Sequence, residues 1–169
     1  SALFDPDKVR NQLGFTLGAQ LFDLPVRNTE ILLEYSRLNP WVYSHKYPAA
    51  TFQNVGYDMG HWIGQNADLL TVEVVHRPFR SVRASVWYEA LRKGGRADVV
   101  NQYQVPSLPF LYGPVRRETS AGFRVVVEPV RDVFVEGQAR TTRVSDEGVP
   151  ALTHADKPEY MLVVRYGLR

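Results

Sequence analysis

The sequence predicts an all-β protein: an antiparallel up-and-down β-barrel of the transmembrane kind, of which this chain supplies the C-terminal part of a larger barrel. Three observations carry this. β-branched and aromatic residues alternate with polar ones over seven segments, at about 13–24, 29–39, 67–76, 80–93, 119–129, 131–142 and 158–168. The connections alternate in length: short at 25–28, long at 40–66, short at 77–79, long at 94–118, very short around Val130 and moderately long at 143–157. Bacterial outer-membrane barrels show this rhythm, with tight periplasmic turns and longer external loops. Finally, no run approaches the roughly 18 apolar residues of a spanning helix, whereas a barrel strand needs only about 9–11 alternating ones.

Taken in order, segment 13–24 ends at the turn Pro25 to Asn28. Segment 29–39 sets Ile31, Leu33 and Tyr35 against Glu30, Leu32, Glu34 and Ser36. Segment 67–76 closes at Arg77-Pro78-Phe79-Arg80, a turn with Pro where a backbone donor is dispensable. In 80–93, Val82, Ala84, Val86, Tyr88 and Ala90 oppose Arg83, Ser85, Trp87 and Glu89. In 119–129, Ala121, Phe123, Val125 and Val127 oppose Ser120, Gly122, Arg124, Val126 and Glu128, and 131–142 follows after almost no link. In 158–168, Tyr160, Leu162, Val164, Tyr166 and Leu168 make an uninterrupted apolar face with a tyrosine near each end, as interfacial girdles require. The opening stretch Asp5 to Asn11 fits a helical turn or two, with Pro6 at the first helical position.

In a membrane barrel these apolar faces meet lipid, and Glu34, Arg83, Glu89, Arg124 and Glu128 line a polar lumen. In a soluble β-sandwich they would point inward instead. Seven strands is an odd count and bacterial single-chain barrels have even ones, so further strands are expected, earlier in the barrel or on another chain. The formal charge of +2, spread over 20 basic and 18 acidic residues, speaks against nucleic acid as a partner. With no cysteine there is no disulfide framework and no thiolate metal site.

The loop 40–66 holds two of the three tryptophans, three of the nine tyrosines and two of the four histidines. It is too aromatic for disorder, and loops of this length are commonly functional. The stretch Leu33-Glu34-Tyr35-Ser36-Arg37-Leu38-Asn39-Pro40-Trp41-Val42-Tyr43-Ser44-His45, followed by Gly60-His61-Trp62-Ile63-Gly64-Gln65-Asn66-Ala67-Asp68, resembles the C-terminal part of the capsule-assembly Wzi family. The likeness spans about 33–93, ending at Arg92-Lys93-Gly94-Gly95; beyond it only the strand pattern agrees. It implies an outer-membrane β-barrel, longer than this chain, that helps hold capsular polysaccharide on the bacterial surface as a lectin.

Sugar binding needs flat apolar faces for C–H groups and planar hydrogen-bonding groups for hydroxyls. Trp41, Tyr43, Tyr47, Tyr57 and Trp62 offer the first; His45, Asn54, Gln65, Asn66 and Asp68 offer the second, and His61 is a further candidate in the same loop. The plainer reading is that the loop folds into the barrel mouth and its aromatics are its core, with Asn66 capping a turn and Asp68 opening a strand. His45, His61, Asp58 and Asp68 lack any metal-site spacing. The pairs Glu34/Arg37 and Arg83/Glu89 supply carboxylates that a glycosidase could use, but partnered carboxylates are poor acids. The expectation is therefore a non-enzymatic, cofactor-free outer-membrane protein whose partners are surface polysaccharide and outer-membrane lipid. A structural subunit of a larger envelope assembly is the alternative, and a soluble β-sandwich lectin the second.

Overall fold

The computed structural model of the chain describes residues 12–45, 47, 53–54, 57–96, 98–156 and 158–167; the opening stretch 5–11 lies outside them. The strands are β1 (Gly14–Phe22), β2 (Thr29–Leu38), β3 (Gln53–Asn54), β4 (Tyr57–Asp58), β5 (Ala67–Phe79), β6 (Val82–Lys93), β7 (Arg116–Val130), β8 (Val133–Asp146), β9 (His154–Ala155) and β10 (Glu159–Tyr166). Two short 3₁₀ turns, Val99–Tyr103 and Pro150–Leu152, interrupt the later loops. No helix is long and apolar enough to cross a membrane, which bears on helices alone.

The fold is an antiparallel up-and-down meander in the order β1-β2-β5-β6-β7-β8-β10, with β9 paired to β8 and a separate β3-β4 hairpin inside the 40–66 loop. The all-β, up-and-down expectation holds. Among the described residues the sheet does not close on itself: β1 pairs with β2 and β10 with β8, and no ladder joins β1 to β10. Among the described residues the β3-β4 hairpin is the only other sheet, too small to be the second layer of a sandwich.

Continuous register fixes which side chains share a face, because paired residues in a ladder point the same way. One row runs Leu17, Tyr35, Leu70, Ala90, Thr119, Arg143. The next but one runs Leu21, Ile31, Val74, Val86, Phe123, Ala139, Tyr160. Leu162, Val164 and Tyr166 of β10 continue the same face. We call this the outer face. It is apolar and largely uncovered: Leu17 is 66% exposed, Val86 61%, Phe123 52% and Leu162 75%. The apolar band drifts along the strands, from Leu17–Leu21 on β1 to Tyr160–Tyr166 on β10, by roughly one residue per strand.

The opposite, inner face is polar along most of its length, carrying Glu34, Glu89, Arg83, Arg124, Glu136, Gln138, Arg140 and Arg165. The Trp87 indole reaches over Gly122 of the neighbouring strand, where a Cβ would collide with it. At its long-loop end the inner face turns apolar. Leu38, Ala67 and Leu69 pack with Ile63 from the loop, flanked by Val42, Tyr43 and Leu91, as the buried core of the described residues.

Candidate functional site

The candidate site is the long-loop end, where the connection between β2 and β5 folds over the inner face. Its path is fixed from three sides. Ile63 is 2% exposed, and Lys93 Nζ donates to its carbonyl at 2.8 Å. The backbone N–H of His61 donates to the Tyr43 hydroxyl at 2.8 Å, and the Tyr43 ring lies where any Cβ on Gly60 would sit. Gln65 and Ser44 join side chain to side chain at 2.9 Å.

Asn66 is the hub. It is fully buried and left-handed (φ 57°). Its Nδ2 donates to the carbonyls of Gly95 (2.9 Å) and Tyr112 (3.3 Å), and its Oδ1 accepts from the Leu111 N–H (2.8 Å). The 40–66 and 94–115 loops are thereby tied into one cap. Trp41 completes the tie: it is 7% exposed, its Nε1 donates to the Asp98 carbonyl at 2.8 Å, and its ring stacks on Tyr112 with centroids 5.6 Å apart. Burial raises the Tyr112 phenol above its ordinary range, with Asp98 adding to the effect, and its hydroxyl donates to the Arg96 carbonyl at 2.6 Å. Asp68, 2% exposed, faces outward on β5, where Arg92 grips both its oxygens and the Tyr35 hydroxyl donates to it at 2.9 Å.

The sequence-selected residues thus divide. Trp41, Tyr43, Gln65, Asn66 and Asp68 are engaged in holding the loops. Trp62 is presented to solvent at 70% exposure with the His61 ring stacked beside it, centroids 6.0 Å apart. His61 Nδ1 accepts from the Ile63 N–H at 3.3 Å, which holds that ring in place. Tyr47 is 65% exposed next to the exposed His45, whose Nδ1 accepts the Tyr47 N–H at 3.1 Å. Asn54 and Tyr57 lie on the β3-β4 hairpin, and their side chains fall outside the described residues. Flat rings on a fixed frame are suited to the C–H faces of sugars.

Of the lumen set, Glu34, Arg83, Glu89 and Arg124 stand on the inner face. Glu128 does not join them: a bulge after Val127 turns it into the β7-β8 hairpin, where its carboxylate accepts the Asp132 N–H at 3.0 Å. Glu34 and Arg37, expected to pair, point to opposite faces. Glu136, absent from the expected lumen set, is an 8%-exposed carboxylate gripped by Arg124 (3.2 Å) and Arg165 (2.5 Å). With Arg83, Ser85 and Val126 these three line a recess of ≈ 190 Å³. Period-two parity carried from Arg124 through the hairpin could have found Glu136. Among the described residues no three His, Asp or Glu side chains gather closely enough to hold a metal ion.

No family model, curated protein or solved structure matches the chain.

Proposed function

We propose that the chain forms adjacent strands of an outer-membrane β-barrel whose long-loop end binds surface polysaccharide of the capsular type without chemical turnover. The observation that carries the membrane half is the outer face. In water, each exposed Leu, Val or Phe on it forgoes about 1–2 kcal/mol of burial, a loss repeated across seven strands; in lipid the loss disappears. The band's shape agrees. Its drift of about one residue per strand, with a rise of about 3.3 Å and a strand spacing of about 4.8 Å, corresponds to strands inclined by roughly 30–35°, near the tilt of membrane barrels. On β6 it runs from Val82 to Ala90, roughly 25 Å along the strand, close to the height of a hydrocarbon belt.

The polysaccharide half rests on Trp62, Tyr47, His45 and His61, aromatic rings beside a frame built by Trp41, Tyr43, Gln65 and Asn66, and on the resemblance of 33–93 to the capsule-assembly family. Replacing Trp62 and Tyr47 together with Ala is expected to release surface polysaccharide while the protein still assembles in the outer membrane. Undiminished retention would overturn the site.

A second reading draws on the open sheet. β1 and β10 run in the same direction and, among the described residues, each has one unpaired edge; backbone groups on such edges cannot face lipid. A partner chain or further strands must pair with both, which makes the chain a component of a larger envelope assembly. A stoichiometric partner cross-linked along β1 or β10 would favour this reading.

A further inference from the structure

We infer that the outward-facing arginines bordering the apolar band are a docking site for phosphate-bearing lipid head groups. The inference rests on the reading that the outer face meets lipid. Arg37 on β2, Arg92 on β6 and Arg117 on β7 stand in one row of the ladder, with Asp68 of β5 between the first two. Arg143 on β8 stands one row nearer the apolar band, opposite Thr119. All four share the face that carries Leu70, Val86 and Phe123. Five strands at a spacing of about 4.8 Å make this a stripe roughly 20 Å long, set where an apolar belt gives way to the polar layer of a membrane.

Three of the four guanidinium groups are held by named partners. Arg92 is fixed by the buried Asp68 yet half-exposed, and Arg37 lies over the Phe110 ring at 3.9 Å with its Nε on Asn39 at 3.0 Å. Arg117 is half-exposed beside Glu147. Arg143 makes no ion pair among the described residues. Asp68 and Glu147 therefore offset two of the four charges, and a surplus of two remains. On the inner face at the same level the charges balance locally: Lys93 and Arg116 stand in one row with Asp146, and Arg116 also pairs with Glu118, two positive charges against two negative. The excess is thus confined to the side that lipid would touch. A planar fork of donors matches a phosphate's oxygens two at a time, and a basic group near an anionic membrane surface gains about 1 kcal/mol.

The test is vesicle flotation of the full chain with phosphatidylcholine alone, and with a minor fraction of phosphatidic acid added. Wild type is expected to float with both, and more tightly with the phosphomonoester lipid. Arg117→Gln/Arg143→Gln should lose roughly ten- to thirty-fold of that tightening while still floating on phosphatidylcholine; Arg83→Gln, on the inner face, should behave as wild type. Equal binding of wild type to both vesicles overturns the docking site and leaves the membrane reading standing. Failure to float with either overturns both. Loss of the tightening when an acidic polysaccharide is added to wild type, with no effect on the double variant, would assign the stripe to the polymer and overturn the lipid assignment.

Discussion

Replacing Asn66 with Ala is the severest test of how the long-loop end is built. The side chain is fully buried and makes three hydrogen bonds into the 94–115 loop. Alanine leaves the Leu111 N–H and the Gly95 carbonyl enclosed without that partner, at about 1–3 kcal/mol each. It also places a Cβ-bearing residue without a local hydrogen-bonding side chain at φ 57°, at about 1–2 kcal/mol. The expected destabilisation is of order 3–8 kcal/mol. Asn66→Gly loses the same hydrogen bonds without the strain, so it should be milder than Asn66→Ala by about 1 kcal/mol. Chemical denaturation followed by tryptophan fluorescence reads this directly, since Trp41 stacks on Tyr112 within the tied loops. A change within about 0.5 kcal/mol of wild type would refute the reasoning that Asn66 joins the two loops.

The two loop tryptophans should respond oppositely. Trp41→Ala empties a buried, stacked position and should cost about 3–5 kcal/mol, whereas Trp62→Ala should leave denaturation within about 0.5 kcal/mol and remove most quenching by aqueous iodide. The Arg117 guanidinium and the Val115 N–H hold the Glu147 carboxyl below the usual glutamate range. With its folded value depressed, its stabilising contribution is present above the unfolded value and lost as pH falls through the folded one; an acid titration of Glu147→Gln should show a shallower loss below about pH 4 than wild type. Tyr112 has the opposite sign. Its raised value means a contribution complete below about pH 10 and lost as pH climbs through the folded value, so Tyr112→Phe should flatten the alkaline limb of the stability profile.

Much of the sheet is legible because period-two alternation survives in single strands: 80–93 and 158–168 alone separate the apolar from the polar face. Strand ends are hidden where charge outweighs alternation. Arg116 to Glu118 and Arg143 to Asp146 read as loop, yet they extend β7 and β8 and pair across the ladder. That misreading also concealed the outward arginine stripe, since Arg117 and Arg143 lie on those extensions. In the loop, residue type marks an aromatic cluster but cannot rank its members. Trp41 is buried because Tyr112, far along the chain, stacks on it, and Trp62 stands exposed among the described residues. Asp68 reads as a sugar ligand until the register sets it opposite Arg92. Glu128 follows the inward parity of Arg124 until a bulge breaks it.

The central claim is that the outer face meets lipid and the inner face water. The chain has no cysteine, so single substitutions along β6, at each position from Arg83 to Ala90, can carry a nitroxide in the membrane-reconstituted protein. Relaxation by oxygen, which concentrates in lipid, should peak at the labels replacing Ala84, Val86, Tyr88 and Ala90, and relaxation by a water-soluble nickel chelate at those replacing Arg83, Ser85, Trp87 and Glu89. Aqueous accessibility at both sets, or oxygen maxima on the Arg83 set, would contradict the account.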